Sequence, residues 1–354
     1  MYNFETTKLI YSRLQDDISR MIYSNRMLYN LTKDKQFLFR VISQYEPMRK
    51  LGDFLEANKD RTAVIFGAGD LGKLILDVYP NIPWCGFIDN NKAGMEYKGS
   101  TILSLDEFIG SGEDAVIIIS PLAPYIEIEK QLLSCDIASD RLFSLGRAVA
   151  EQSTIYFEDF VPRDEDEVFV DAGVFDGGTT LDFVKWSGNR YRHIYMFEPS
   201  ESYFERYYSN VCELKNMEWI KKGLWSETTA LRFFDRPDHD ISTDQDLSGI
   251  YEKYIYSDGK WIEIPVTSID ETIKDDKVTF IKMDIEGSEL EALKGAEKVI
   301  RRDHPKLAVC LYHKNEDLWT LPDIILQYNP DYKYYIRHYS MDMLDTVLYA
   351  VDGR

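Results

Sequence analysis

Long apolar runs are missing from this chain of 354 residues. No stretch approaches the roughly 18–20 consecutive apolar residues that cross a bilayer. Met1 to Arg20 alternates polar and apolar side chains, so the continuous hydrophobic core of a secretory leader is also missing. Cytoplasm is the expected compartment. Cysteine is scarce: Cys85, Cys135, Cys212 and Cys310 lie far apart and form no C-x-x-C pair. Each sits in or beside an apolar run, so four buried free thiols in a reducing compartment are expected. Of the five histidines, His193, His239, His304 and His338 have no metal-like spacing and are expected to be solvated or structural. Positive charge is in deficit, with 41 Lys and Arg against 61 Asp and Glu and a net charge of -20. A nucleic-acid partner needs cations that displace phosphate counterions, so that class is excluded, as is docking on anionic lipid. A neutral or cationic small substrate, or a sugar, fits this surface; a homo-oligomer is compatible with it.

What is present is an ordinary globular balance, 44% hydrophobic and 29% charged, long enough for two or three domains. Residues 1–60 read as a helical extension, because Leu9, Ile10, Leu14, Ile18, Met21 and Ile22 recur at roughly three- to four-residue spacing. Strands and helices then alternate twice. In 61–150, Thr62 to Phe66, Trp84 to Ile88 and Ala115 to Ile119 read as strands, with a helix over Leu71 to Tyr79. The charged run Arg163 to Glu167 reads as a linker or exposed lead-in. In 151–354, strands are expected at Val168 to Val170, Ile194 to Phe197, Glu218 to Ile220, Leu231 to Phe234, Val278 to Met283 and Leu307 to Leu311. Helices are expected at Thr179 to Trp186, Glu201 to Leu214 and Ser288 to Arg301, and a polar loop or lid at 235–260. Two closing strands, Tyr332 to His338 and Thr346 to Val351, complete the pattern. The fold class is α/β, a mostly parallel, doubly wound sheet with an antiparallel tail.

Gly67, Gly69 and Gly72 form G-x-G-x-x-G between a strand and a helix, and Asp89 ends the next strand about twenty residues later. Glycines there let a backbone approach phosphate, and the acid receives a ribose hydroxyl. With Gly86 to Asn90, the segment resembles the small Rossmann domain that precedes sugar acyltransferases, which implies a nucleotide-sugar module. An NAD(P) site and an empty structural crevice remain as alternatives.

A second strand ends in Asp171, followed by Gly173, Asp176, Gly177 and Gly178 at a helix start. The spacing is looser than a pyrophosphate cradle and suits the methionine part of S-adenosylmethionine, with helix amides facing it. The next strand ends in Glu198-Pro199, where an acid can accept both ribose hydroxyls. Further on stand Lys282-Met283-Asp284-Ile285-Glu286-Gly287 and Leu293-Lys294-Gly295-Ala296. Taken with Asp171-x-Gly173 and Phe197-Glu198-Pro199, these blocks resemble the FkbM family of methyltransferases over roughly 155–351. That resemblance implies a class I methyltransferase fold, a mostly parallel seven-stranded sheet with an antiparallel terminal strand. It also implies S-adenosylmethionine as cofactor and an oxygen acceptor, on a saccharide, nucleotide sugar or related natural product. By the same likeness Asp171, Gly173, Asp176, Gly177 and Glu198 contact the cofactor, and Gly223 and Leu224 lie near the adenine.

The chemistry agrees. In such a sheet the first, fourth and fifth strands are neighbours, so Asp171, Asp284 with Glu286, and Tyr312-His313 end at one crevice. His313 is the expected general base, since an unperturbed imidazole titrates at ~6.5. Asp284 orients the acceptor, holds the cofactor amine or serves as base, and Glu286 either joins it or caps the following helix. The same three side chains, given further oxygen ligands, suit a divalent cation. Two rival readings stand: an NAD(P)-dependent nucleotide-sugar oxidoreductase built on Gly67 to Asp89, and a non-catalytic subunit of a glycan-assembly complex.

Overall fold

The fold is that of a computed structural model, which describes residues 4–152, 154–235 and 260–353. All but the ends of the interval expected as a loop or lid lies outside the described residues. The chain divides into two compact units. One holds Leu28–Ser153 with His338–Asp342; the other holds Met1–Met27, Thr154–Arg337 and Met343–Arg354. The helical reading of the first sixty residues corresponds to α1 (Phe4–Arg13), α2 (Asp17–Thr32), α3 (Lys35–Ile42) and α4 (Glu46–Ala57).

In the unit that begins at Leu28, strands and helices alternate as β1 (Ala63–Phe66), α5 (Asp70–Val78), β2 (Trp84–Ile88), α6 (Leu105–Ser111), β3 (Val116–Ile119), α7 (Tyr125–Ser134), β4 (Leu142–Ser144) and α8 (Leu145–Ala150). The sheet runs β2-β1-β3-β4, all parallel. Its two inner strands are the continuous apolar runs Ala63–Phe66 and Val116–Ile119, buried at every position because helices cover both faces. Val64, Phe66, Ile88, Ile117 and Leu132 belong to its core. The order reverses between β1 and β3, so the carboxyl ends of these strands flank the glycine turn. A Cβ on Gly72 would lie 2.1 Å from the Gly67 carbonyl oxygen, whereas one on Gly69 would meet nothing within 4 Å. Gly72 is therefore the packing glycine. Gly72→Ala is expected to cost about 1–3 kcal/mol in urea unfolding, and Gly69→Ala less than about 0.5. Asp89, expected to receive a ribose hydroxyl, accepts the Ala68 N–H on one oxygen and the Asn91 N–H on the other, each at 3.0 Å.

The other unit contains β5 (Glu167–Ala172), α9 (Gly178–Trp186), β6 (Tyr191–Phe197), α10 (Glu201–Val211), β7 (Met217–Ile220), β8 (Thr229–Asp235), β9 (Lys260–Thr267), β10 (Phe280–Met283), α11 (Glu289–Lys294), α12 (Glu297–Asp303), β11 (Lys306–Cys310), α13 (Asp317–Tyr328), β12 (Tyr332–His338) and β13 (Thr346–Asp352). Seven of these strands form one sheet in the order β12-β13-β11-β10-β5-β6-β7. From β11 to β7 the pairs are parallel, and β13 runs antiparallel to β11. This is the α/β, mostly parallel, seven-stranded arrangement expected above. The edge strand β12 is covered by the chain's first helices. Leu14 bridges to Tyr334, Ser19 Oγ accepts the Ile336 N–H at 2.9 Å, and Arg337 pairs with Asp16 at 2.7 Å. Covering an edge in this way withdraws it from pairing with other chains.

Several elements depart from the sequence reading. The helix expected over Ser288 to Arg301 is two, α11 and α12. A Cβ on Gly295 would lie 2.1 Å from the Trp225 carbonyl oxygen. Asp270 accepts the Lys298 and Val299 N–H groups at 3.0 and 2.9 Å, so a second helix is capped and restarted there. Strand β9 was not anticipated, although Ile262, Ile264 and Val266 alternate with polar or turn residues; it pairs antiparallel with β8. The charged lead-in is only partly exposed. Glu167 is fully buried at the start of β5, and Lys306 Nζ lies 2.8 Å from it and 2.6 Å from Asp164. Among the cysteines only Cys310 is buried; Cys85 and Cys212 are exposed, and all four are free. Cys85 lies on the edge strand β2 and Cys212 at the end of α10, where an apolar neighbourhood in sequence does not become burial. No helix among the described residues is long and apolar enough to cross a membrane.

Candidate active site

Strand register brings the expected site residues together. Ala172, the last residue of β5, pairs with Met283 of β10 and Phe197 of β6. The next residues on the three strands are Gly173, Asp284 and Glu198, which therefore emerge side by side. Gly173 N–H donates to the Phe197 carbonyl at 3.0 Å, and Asp284 N–H donates to the Ala172 carbonyl at 3.1 Å. At Gly173 φ is +85°, and an added Cβ would lie 1.8 Å from the Asp284 carbonyl oxygen. Neither the dihedral nor the space admits a side chain. Gly173→Ala is expected to cost about 3 kcal/mol in thermal unfolding, combining backbone strain with overpacking.

Beneath the glycine loop lies a buried ion pair. Asp171, fully buried, stands 3.1 Å from Lys282 Nζ and accepts the Thr180 hydroxyl at 2.7 Å. Lys282 Nζ also donates to the Gly173 carbonyl at 2.7 Å. Burial works against the ammonium, but the Asp171 and Asp284 carboxylates outweigh it and hold the Lys282 pKa above its ordinary value. Asp171, expected as a cofactor contact, has no surface to offer; it fixes Lys282, and Lys282 fixes the loop. Asp176 accepts the Gly178 N–H at 2.8 Å, and Gly177, with φ of +81°, is the N-cap of α9. These two shape the turn into the helix.

Glu198 accepts the Ser200 N–H at 3.0 Å and the Phe175 N–H at 3.3 Å. Burial raises its carboxyl to about 7, against the lowering effect of these amides and of Lys282. Gly223 stands close by, since a Cβ on it would lie 3.8 Å from Pro199 Cγ, whereas Leu224 is buried.

Asp284 is the hub of the second cluster. One carboxylate oxygen accepts the Tyr312 hydroxyl and the other the Tyr156 hydroxyl, both at 2.9 Å. Burial raises the Asp284 pKa, but the charges of Lys282 and His313 and the two phenols more than reverse this and leave it lowered. His313 Nε2 lies 3.5 Å from Asp284 and 3.6 Å from Glu286, and Nδ1 lies 3.0 Å from Glu289. Burial lowers the His313 pKa, yet Glu289, Glu286 and Asp284 together raise it to about 10. Such an imidazole holds its proton at neutral pH, with no lone pair for a substrate proton, unless a cation takes the place of that proton at Nε2. This charge state runs against the expected role of general base.

Three participants were not assigned roles from sequence. Lys282 sits inside the quoted motif, but its burial depends on β10 being central. Glu289, fully buried, is one helical turn past Ile285, whose N–H it accepts at 3.0 Å. Tyr156 comes from the segment before β5 and carries φ of +75°, a conformation rare for a side-chain-bearing residue. No local pattern announces it. Phe175 and Glu286, at φ of +52° and +53°, place further strained backbone around the same strand ends.

Residues 171–336 match the family model described as the methyltransferase FkbM domain. Among solved structures, the chain is similar to a methyltransferase FkbM from Methylobacillus flagellatus, with 21% identity over 91% of this chain and 100% of that one and a TM-score of 0.45. It is also similar to Aeropyrum pernix fibrillarin, solved with S-adenosyl-L-methionine, with 12% identity over 53% of this chain and 67% of that one and a TM-score of 0.33. A third similar structure is an rRNA methylase from Streptococcus thermophilus, with 13% identity over 54% and 90% of the two chains and a TM-score of 0.33. Comparison with curated proteins finds no match.

Proposed function

We propose that the unit containing residues 171–336 transfers a methyl group from S-adenosylmethionine to a hydroxyl of a saccharide, nucleotide sugar or related natural product. The observation that carries this reading is the emergence of Gly173, Glu198 and Asp284 side by side from three adjacent strands. Glu198 retains lone pairs for the ribose hydroxyls, and the glycine loop admits the methionine part against bare backbone. Methyl transfer is an in-line displacement: the acceptor oxygen forms a bond to the methyl carbon as the carbon–sulfur bond breaks and its electrons return to sulfur. The enzyme mainly holds oxygen, carbon and sulfur in line. As the new bond forms, the hydroxyl proton becomes strongly acidic, so a carboxylate of low basicity suffices to receive it. Asp284, held between two phenols, is placed to orient that hydroxyl and take the proton.

Calorimetry with S-adenosylmethionine, NAD and a UDP-sugar tests this against an oxidoreductase or a non-catalytic binding subunit. Binding of S-adenosylmethionine, lost in Gly173→Leu, is expected; binding of NAD alone overturns the reading. Incubation with labelled S-adenosylmethionine and a cell extract, followed by identification of the labelled product, reads the acceptor.

A further inference from the structure

We infer that Asp284, Glu286 and His313 form a divalent-cation site beside the glycine loop. One carboxylate oxygen from each acid and one imidazole nitrogen lie within 4.8 Å of one another. The His313 Nε2 separations, 3.5 Å to Asp284 Oδ1 and 3.6 Å to Glu286 Oε2, are long for hydrogen bonds, which fall at ~2.7–3.2 Å. They are near the roughly 3.0–3.5 Å that separates two ligands each about 2.0–2.2 Å from a shared ion. A second observation concerns the imidazole itself. Its side chain is nine-tenths buried, at 10% exposure, and Nε2, the nitrogen that faces Asp284 and Glu286, makes no hydrogen bond.

The surroundings are those of a held ligand set. Glu289 Oε1 lies 3.0 Å from the far ring nitrogen, Nδ1, the place of the carboxylate that orients a metal-bound histidine. Glu289 is in turn fixed by the Ile285 N–H, and Asp284 by the hydroxyls of Tyr156 and Tyr312. Glu286 is kept at φ of +53°, strain of the kind that persists where a side chain must be aimed. Two carboxylate oxygens and one imidazole nitrogen suit a hard ion of the magnesium or manganese class, with further positions left for oxygen ligands. Such an ion would hold and acidify the acceptor hydroxyl. That role rests on the methyl-transfer reading; the site itself does not.

The test uses the full chain, stripped with chelator and titrated with Mn²⁺ alone. Loss of the free-ion electron paramagnetic resonance signal reads binding, and spin-echo modulation reads nitrogen ligation. Saturable binding with imidazole nitrogen modulation is expected. His313→Gln should abolish the modulation, and Glu286→Gln should weaken binding at least about tenfold. Glu286 is partly exposed, so an unchanged melting temperature confirms that its variant is folded. Absence of saturable binding, binding without nitrogen modulation, or equal affinity in Glu286→Gln overturns the site. The last pattern is what carboxylates gathered only around a protonated imidazole would give. Calorimetry of the stripped protein with S-adenosylmethionine reads the cofactor site separately, so either inference can fail while the other stands.

Discussion

Asp171→Ala is expected to destabilise the unit that holds it by about 3–5 kcal/mol, because it takes from the buried Lys282 ammonium the carboxylate paired with it. Both side chains are almost wholly out of water, with exposures of 3% for Lys282 and 0% for Asp171. Desolvating a charge in this position is offset only while the partner and the Gly173 carbonyl remain in place. Chemical denaturation should show unfolding shifted to lower denaturant concentration. The companion variant is Asp171→Leu combined with Lys282→Met and Thr180→Val. Replacing a buried pair wholesale by apolar residues is often close to neutral, so this triple variant should regain most of the lost stability. It should still fail to bind the cofactor, because Lys282 no longer holds the Gly173 carbonyl. If Asp171→Ala unfolds at the same denaturant concentration as the parent, the buried pair is not what supports the loop.

Glu198→Gln is expected to weaken S-adenosylmethionine binding about a hundredfold while leaving the fold intact. A hydrogen bond to a charged group contributes about 1.5–3 kcal/mol, and in the proposed complex this carboxylate would accept from two ribose hydroxyls. Glutamine also cannot reproduce the present arrangement. Ser200 and Phe175 each donate a backbone N–H to a different carboxylate oxygen, and an amide offers an oxygen to only one of them. The same residue sets a pH dependence. Burial raises Glu198 to about 7 in the free protein, and accepting two hydroxyl donors favours the ionised form. Below that pH a proton must leave before the cofactor binds, so affinity should fall by up to about tenfold per pH unit. Above it affinity should level off. Calorimetry from pH 5.5 to 8.5 checks the sign; affinity rising toward acid would contradict the assignment, and the dependence should vanish in Glu198→Gln.

Much of this is legible in the sequence. Apolar runs such as Ala63–Phe66 and Val116–Ile119, each bounded by turn residues, read as buried strands, and glycines marked both strand-to-helix turns. Gly173, Glu198 and Asp284 follow directly on strands, so strand register alone aligns them. The residues beyond reach were those whose neighbours are distant in sequence. Tyr156 meets Asp284 across 128 positions, and Asp164 and Glu167 meet Lys306 across 142 and 139. The break after Lys294 falls at Gly295, where the Trp225 carbonyl leaves no room for a side chain, and the second helix is capped by Asp270 from a distant part of the chain.

By itself the sequence determined the alternation of strands and helices, the two glycine turns and the identity of the acids at the strand ends. Periodicity and turn chemistry are local, and they act through side chains a few residues apart. Only the tertiary structure decided which acids are charges in use and which are supports. Asp171 became a buried anchor, Glu198 a carboxyl near neutrality, and His313 an imidazole held by three carboxylates. A carboxyl or an imidazole has no fixed character until burial and neighbouring charge set the free energy of its ionised form, and both arise only when remote strands are brought together.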